Sequence, residues 1–341
     1  MLRDGTTWPG RLLIPGLCVV ISGLSVASLQ LGSVTLAPGV VLRALFGLGD
    51  AADVVIVQEL RLPRTLLAIL IGATLGLAGA ALQGLLRNPL AAPSVFGAPS
   101  AAALGAVIAI VTGLANTLSF MLPVAAIAGA LLSVGVLFGL AGFGGNILTL
   151  LLAGLALSSL ASAGVSLALN LAPNPFAALE IAFWLLGSLE DRSFRHIVLA
   201  APFMLFAWII LLANRNVLTV LTLGEDVAAT SGVNLPRLRL ATMAGVASGV
   251  GSAVAVSGVI GFVGLMTPHL VRPLVGHDPA RVHIPAMLAG AALLLAADAL
   301  ARVIPASSEI RIGVLTSIVG VPFFIWLVVQ RRRRDLLQAV D

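Results

Sequence analysis

The stretch LRLPRTLLAILIGATLGLAGAALQGLLRNPLAAPSVFG, residues 60–97, decides the fold of this chain. It opens with Arg61 and Arg64, continues as a long apolar run, and closes on Arg87 and an Asn-Pro pair. A bilayer core needs roughly 20 consecutive apolar residues to be crossed by a helix. Arginines at both ends of such a run are typical of anchors at the two membrane interfaces. The stretch therefore predicts a transmembrane helix over residues 61–86.

The composition of the whole chain agrees with this interpretation. Of its 341 residues, 59% are hydrophobic and 10% are charged, and the mean hydropathy is +1.11. Soluble globular domains are far more polar. The apolar residues occur in long runs rather than as one stripe per helix. We therefore expect an all-α, polytopic membrane protein with about ten transmembrane helices in a single domain, residues 1–341.

The apolar runs can be placed along the chain. The first run has the composition of a secretory signal, but it is long and lacks a clear small-x-small cleavage site, so we interpret it as a retained span. Residues 176–189 are too short for a full crossing and fit a re-entrant or interfacial helix. The ten predicted spans are 12–31, 61–86, 99–114, 119–140, 147–169, 197–213, 240–257, a short or broken span at 257–276, 283–301 and 312–330.

Two residue counts exclude classes of chemistry. All 19 basic residues are arginine, and a Walker-A phosphate loop requires a lysine. If the protein's work uses ATP, a partner must bind it. Cys18 is the one cysteine, so the chain cannot form an internal disulfide or a cysteine cluster for a metal. We interpret Cys18 as a small, buried apolar residue. The net charge of +5 needs no nucleic acid to explain it.

The arginines also predict the orientation in the membrane. Ten spans place both termini on one side, and cytoplasmic loops are enriched in basic residues. With the termini in the cytoplasm, twelve arginines lie inside and seven outside, which accounts for all 19. The inner set is Arg3, Arg11, Arg87, Arg215, Arg237, Arg239, Arg272, Arg281 and Arg331 to Arg334, and the outer set is Arg43, Arg61, Arg64, Arg192, Arg195, Arg302 and Arg311.

A short helix is predicted inside the polar stretch 214–239. Glu225 and Asp226 stand at its start and Gly232 at its end, and acidic residues early with glycine late are typical helix boundaries. The segment is either a solvated loop or a docking helix for a cytoplasmic partner.

Few residues in the spans carry ionisable chemistry. Asp298 lies well inside a long predicted span, four residues before Arg302. The spacing places both on one helix face, which favours a structural ion pair over a proton relay. Glu180 lines a cavity or lies at the interface, and the sequence leaves both open. The four histidines show no HExxH or Cys/His spacing for a metal, and we expect His269 to serve local packing.

Glycine pairs predict close helix contacts rather than a ligand site. Gly72 and Gly76, like Gly245 and Gly249, are GxxxG pairs within apolar spans. Such pairs allow helix backbones to approach closely.

Several stretches in order along the chain resemble the FecCD family, the membrane subunits of binding-protein-dependent ABC importers for ferric siderophores, haem and corrinoids. They are LRLPR (60–64), RNPLAAP (87–93), LLLAG (150–154), FWLLGSL (183–189), GEDVAATSGV (224–233), SGVIGFVGLMTPHLVR (257–272), LLLAADALAR (293–302) and GVLTSIVGVPFFIWL (313–327).

The resemblance implies a type II ABC importer permease and a set of partners. A second copy of the chain would form a homodimer with the translocation path at its centre. Two cytoplasmic ATPase subunits would bind ATP and magnesium, and a periplasmic or lipid-anchored binding protein would deliver the substrate. The chain itself would hold no cofactor, no metal and no catalytic residue. The implied ATPase-docking segment is Gly224, Glu225, Asp226, Val227, Ala228, Ala229, Thr230, Ser231, Gly232 and Val233.

The resemblance also assigns docking arginines. Arg61, Arg64 and Arg302 occupy positions where family members receive acidic residues of the binding protein, and an exposed arginine fork suits a carboxylate. The alternative is a set of interfacial side chains with charged ends in water.

The resemblance also implies inner gates, and the sequence differs from the family pattern at one further position. The gates are implied at Asn88 and Leu90 and at Ile147 and Leu148, although the second pair is aliphatic where the family is often small and polar. Arg311 replaces a common proline in EIRIG, residues 309–313.

The sequence therefore predicts a multi-pass permease subunit in the inner (plasma) membrane, with both termini cytoplasmic, that imports an iron chelate, either a siderophore or haem. A corrinoid is the alternative substrate. A proton- or sodium-coupled secondary transporter is the alternative mechanism, and it requires buried acidic residues at the midplane. An integral-membrane enzyme would require converging acid, base or metal groups.

Overall fold

The computed structural model describes residues 8–32, 34–118, 120–142, 146–304 and 309–338, so the predicted inner arginine Arg3 lies outside the described part. Every regular element in these ranges is helical. The helices of the first half are α1 (Trp8–Gln30), α2 (Pro38–Leu45), α3 (Ala51–Val55), α4 (Leu62–Leu85), α5 (Ala98–Val111), α6 (Leu114–Thr117), α7 (Met121–Ala141) and α8 (Ile147–Asn170).

The second half continues the bundle. Its helices are α9 (Pro175–Leu185), α10 (Phe194–Leu221), α11 (Glu225–Thr230), α12 (Leu235–Ser257), α13 (Val263–Val271), α14 (Pro279–Val303) and α15 (Ile312–Gln338). A π-helix, Ile56–Arg61, joins α3 to α4, and short 3₁₀ helices cover Pro93–Phe96 and Arg272–Leu274.

The predicted spans are confirmed in outline. Eight helices in the described ranges are long and apolar enough to cross a membrane: α1, the continuous helix Ala51–Leu85, α7, α8, α10, α12, α14 and α15. The predicted third and eighth spans are short, because α5 has 14 residues and α13 has nine. The helix α9 has 11 residues, too few to cross the bilayer, as its sequence predicted.

Two expectations are corrected. The predicted polar stretch 214–239 is partly helical: α10 and α12 continue beyond their apolar runs, so only residues 222–234 connect them. Cys18 is exposed rather than buried, because α1 packs mainly on α14 and leaves most of its circumference on the surface of the bundle.

The helices α4 and α12 form the centre of the bundle and are buried along most of their length. The helix α4 packs chiefly against α14, and α12 packs between α10 and α7. Small residues make this possible: a Cβ at Gly72 would lie 2.2 Å from the Gly290 carbonyl oxygen, and a Cβ at Gly249 would lie 2.7 Å from Thr74 Cγ2. The prediction of close packing at the glycine pairs is confirmed.

Candidate functional site

The predicted helix in the polar stretch is present as α11, at one end of the bundle. Gly224 precedes it with φ +115° and Gly232 follows it with φ +87°, conformations that glycine adopts at low cost. Ala228, in the middle of the helix, is fully buried. The Glu225 carboxylate accepts a hydrogen bond of 2.8 Å from Arg239, a buried side chain of α12. These contacts hold α11 in place on the bundle.

The opposite face of α11 is open. Leu223 and Val227 are 69% and 44% exposed, and Asp226 and Thr230 are also exposed. An apolar pair within a polar rim is a typical protein-binding surface. We call the end of the bundle that carries this surface the α11 end.

The other end of the bundle, which we call the Asp298 end, is built around a buried carboxylate. Asp298 is fully buried on α14, 2.7 Å from Arg302 and 2.8 Å from Arg64 on α4. The predicted pair of Asp298 and Arg302 is therefore confirmed. Arg64 also contacts Glu309 at 2.7 Å, just before α15. Sequence analysis did not predict Arg64 as a second partner of Asp298, because the two residues are 234 positions apart.

Two of the arginines also bind the end of α1. Arg302 donates to the carbonyls of Ser28 (2.9 Å) and Leu31 (3.1 Å). Arg61 donates to the carbonyls of Leu29 and Gln30 at 2.9 and 2.8 Å, and to that of Val34. The last carbonyls of a helix have no partner within the helix, so both arginines cap α1.

The expectation of an exposed arginine fork is wrong in this respect. Arg61 and Arg64 are 6% and 9% exposed, and the Arg302 side chain is 3% exposed. The reason is that their guanidinium groups are needed inside the chain, for Asp298, for Glu309 and for the carbonyls of α1. Their role in binding-protein docking stays a prediction.

Arg311 finds a partner at the same end. It lies 2.6 Å from the Glu190 carboxylate, 3.2 Å from the Ser188 hydroxyl and 5.5 Å from the centre of the Phe183 ring. The connection before α15 is thus tied to the segment that follows α9. Glu180, on the exposed side of α9, lies on the surface of the bundle.

The predicted gate residues lie near the starts of two helices, the 3₁₀ helix Pro93–Phe96 and α8. Asn88 is exposed, and its side chain accepts a hydrogen bond of 3.0 Å from the Leu90 backbone. Ile147 and Leu148 are the first two residues of α8, and the Asn146 side chain caps its N-terminus. Leu148 is 61% exposed. The two segments are linked because the 3₁₀ helix after the first one packs on α8. A gating role stays a prediction for all four residues.

Sequence analysis also missed a polar stripe on α8. Ser159, Ser162, Ser166 and Asn170 are all exposed, and at 100° per residue they share an arc of roughly 80°. Each side chain bonds to a carbonyl of the preceding turn. The spacing of three and four residues within an apolar run was the available signal.

Known proteins show the same fold and family. The sequence model of the FecCD transport family matches residues 18–330. The chain belongs to the FecCD transport family. A multi-pass membrane protein is thereby established, since the match covers the apolar helices described above.

Individual members of the family are similar over most of their length. The hemin transport system permease protein HmuU of Yersinia pestis is 36% identical, covering 95% of this chain and 97% of its own length. The ferric enterobactin transport system permease protein FepD of Escherichia coli is 37% identical, with 94% and 96% covered. The cobalamin import system permease protein BtuC of Halobacterium salinarum is 38% identical, with 85% and 78% covered.

A solved structure supports the fold. It is described as an inward-facing conformation of a transporter assigned to the metal-chelate type of ABC transporters. It superposes with a TM-score of 0.85 at 32% sequence identity, covering 94% of this chain and 99% of that chain.

Proposed function

We propose that the chain is the permease subunit of a binding-protein-dependent ABC importer for an iron chelate, a siderophore or haem. Two copies form the path through the inner membrane, and two cytoplasmic ATPase subunits bind and hydrolyse ATP. A periplasmic or lipid-anchored binding protein delivers the chelate. The permease itself performs no bond chemistry.

The observation that carries the proposal is the rigidly held α11 with its exposed apolar face. A helix with a buried anchor at Ala228 and a tie from Glu225 to Arg239 can transmit force to α10 and α12. Nucleotide-driven closure of two ATPases would then shift the balance between two states of the dimer. The chain has no lysine for a Walker-A loop, so the nucleotide belongs to the partner. Haem and siderophore permeases among the relatives support an iron chelate.

The orientation follows from the two ends of the bundle. Six of the predicted inner arginines, which are Arg87, Arg215, Arg237, Arg239, Arg272 and Arg281, lie in or next to the segments that connect the helices at the α11 end. Cytoplasmic segments carry such an excess. We therefore place the α11 end and both termini in the cytoplasm and the Asp298 end outside.

An ion-coupled secondary transporter is the weaker candidate. It needs an acidic residue in a span that can release and bind a proton or sodium ion. Asp298 has the required position, but Arg64 and Arg302 hold it at 2.8 and 2.7 Å. The two ion pairs hold this carboxylate in the structure, so it is not free to bind a transported ion.

The test of the mechanism is the variant Val227→Asp. A carboxylate in the centre of the apolar face of α11 cannot be desolvated cheaply. We expect the variant to purify as a folded permease but to lose co-purification of the ATPase and vanadate-sensitive uptake. Leu48→Asp is the matched control, since Leu48 is 60% exposed at the opposite end. Retention of the ATPase at the wild-type ratio in Val227→Asp would place docking elsewhere.

The test of the substrate is growth of a deletion strain under two limitations. One culture receives haem or a ferric siderophore as the sole iron source, and the other depends on an external corrinoid. We expect growth to fail only in the iron culture and to return with the intact gene. Failure only in the corrinoid culture would change the substrate to a corrinoid and leave the mechanism intact. This outcome has support from the cobalamin permease among the relatives.

A further inference from the structure

A pocket at the α11 end lies where three helices meet. It has a volume of about 410 Å³ and is lined by residues of α1, α10 and α14 and of the segment before α14. Both α1 and α10 pack on α14. Ile14 and Ile284 belong to the apolar part of the pocket wall, and the polar part consists of the side chains of Arg215, Asn216, Asp278 and Arg281.

The one acidic side chain among these lining residues is bound within the chain. Asp278 accepts a hydrogen bond of 2.6 Å from the Thr219 hydroxyl and one of 3.0 Å from the backbone N–H of Ala280. Its second oxygen lies 3.4 Å from Arg281. This ion pair is partly exposed on both sides, so it contributes little to stability. Asp278 therefore offsets at most the charge of Arg281.

Arg215 differs from Arg281 because it has no such partner. It is half-buried on α10, and its guanidinium forms no hydrogen bond or ion pair with a residue that the structure describes. Two arginines against one aspartate leave the pocket with a net positive charge. The planar guanidinium carries five N–H donors, so Arg215 can offer a fork of hydrogen-bond donors to an anion in the pocket.

The pocket lies at the membrane boundary predicted from the sequence. Arg11 stands just before the first predicted span, Arg215 just after the span that ends at residue 213, and Arg281 just before the span that begins at residue 283. Large apolar side chains are exposed on the membrane side of this level, among them Leu12 on α1 and Ile209 on α10. Arginines of three neighbouring helices therefore stand at the depth of the lipid headgroups, above a surface suited to acyl chains.

We propose that this pocket binds the phosphate of an anionic phospholipid of the cytoplasmic leaflet. An arginine fork binds phosphate oxygens through two parallel hydrogen bonds, and basic pockets between transmembrane helices on the cytoplasmic side bind acidic headgroups. The exposed Asn216 amide is placed to bond the polar part of the headgroup, and Ile14 contacts the start of an acyl chain. The inference goes beyond the proposed function, because it requires only that the α11 end faces the cytoplasm.

The apolar wall favours a lipid over a soluble phosphate. Each methylene group of an acyl chain that leaves water contributes about 0.8 kcal/mol, and a soluble phosphate gains nothing from Ile14 or from the exposed flanks of α1 and α10. A zwitterionic lipid carries the same phosphate with a compensating positive charge. It should therefore bind less well beside Arg215, by roughly fivefold for about 1 kcal/mol of lost attraction.

The experiment measures the binding of three probes to the full-length permease purified in detergent. The probes are dioctanoylphosphatidylglycerol, dioctanoylphosphatidylcholine and glycerol 3-phosphate, and binding is read by native mass spectrometry and by the rise in unfolding temperature. Arg215→Ala is compared with Arg237→Ala, which removes the same charge from an exposed arginine at the same end but outside the pocket. We expect Arg215→Ala to weaken the Kd for phosphatidylglycerol about tenfold or more. Arg237→Ala should stay within about twofold of wild type.

Three results would overturn the proposal. Equal losses in Arg215→Ala and Arg237→Ala would mean that surface charge alone attracts the lipid. Equal affinity for phosphatidylcholine would show that the pocket does not select an anionic headgroup. Glycerol 3-phosphate binding as tightly as phosphatidylglycerol would make the pocket a site for soluble phosphate.

The stability of the variants is a separate readout. Because Arg215 makes no bond with a described residue, we expect Arg215→Ala without added lipid to unfold at the wild-type temperature. If this variant does not fold, Arg215→Lys is compared with Arg237→Lys by the same criterion. A lysine keeps the charge but not the fork, so only the change at Arg215 should weaken phosphatidylglycerol binding, and equal affinities in the two lysine variants would contradict the proposal.

Discussion

At the scale of single residues, the Asp298 end depends on one buried carboxylate. Asp298 is fully buried and joins arginines from two helices. Glu309 binds the same Arg64 at a similar distance, but its side chain is 34% exposed. Removing one partner of a buried ion pair leaves an uncompensated buried charge, whereas exposed pairs contribute little. The two acidic residues should therefore differ sharply in their contribution to stability.

Asp298→Asn tests this difference. The change keeps the shape of the side chain but leaves Arg64 and Arg302 with one counter-ion fewer in a buried site. We expect a loss of about 3–5 kcal/mol, read as a large drop in the unfolding temperature in detergent. Glu309→Gln is the matched control and should cost at most about 1 kcal/mol. Equal losses in both variants would show that burial does not determine the strength of these pairs.

The same cluster shows how far the sequence could predict the site. Asp298 and Arg302 are four residues apart in one helix, so their contact follows from helix geometry alone. The contacts of Arg64 with Asp298 and of Arg311 with Glu190 join residues 234 and 121 positions apart. No local pattern encodes such separations, and the family pattern had suggested exposed arginines. The partners of the Arg61, Arg64 and Arg302 guanidinium groups became visible only in the folded chain.

At the scale of helices, the contact between α4 and α14 is a seam of backbone against backbone. A Cβ at Gly72 would lie 2.2 Å from the Gly290 carbonyl oxygen, and a Cβ at Gly290 would lie 2.1 Å from the Gly72 carbonyl oxygen. The sequence predicted close packing from the GxxxG pair in α4, but it could not name α14 as the partner. Helix lengths show a similar limit, because α10 and α12 extend past their apolar runs into polar residues. Hydropathy records only the part of a helix that the bilayer covers.

Gly72→Ala tests the seam. The added methyl group meets backbone atoms, which cannot rotate away, so α4 and α14 must separate. We expect a loss of about 1–3 kcal/mol or more, measured as a lower unfolding temperature of the purified permease. Gly135→Ala in α7 is the control: nothing lies within 4 Å of its added Cβ, and the change should raise helix stability by up to about 1 kcal/mol. An unchanged unfolding temperature in Gly72→Ala would mean that α4 and α14 can separate without loss of stability.

At the scale of the whole molecule, the exposed surface of the bundle is not uniform. The helices α1 and α10 expose mainly large apolar side chains, as a surface in contact with lipid should. The helix α8 instead combines exposed leucines with the stripe of Ser159, Ser162, Ser166 and Asn170. Polar side chains within a span usually face the interior of an assembly or a water-filled cavity. In the proposed dimer, this stripe would therefore line the path of the chelate.

Accessibility of single cysteines can establish which surface of α8 meets water. Replacing Cys18, the only cysteine, by serine gives a chain without thiols in one step. In that background we expect Ser162→Cys to react rapidly with a charged, membrane-impermeant methanethiosulfonate reagent, because a thiolate in a water-filled path is available for reaction. Leu160→Cys, from an exposed apolar position of the same helix, should react at least about tenfold more slowly, since a thiol in lipid stays protonated. Equal rates at both positions would place the stripe outside the path. If Ser162→Cys is labelled faster after the binding protein and ATP are added, its exposure changes with transport.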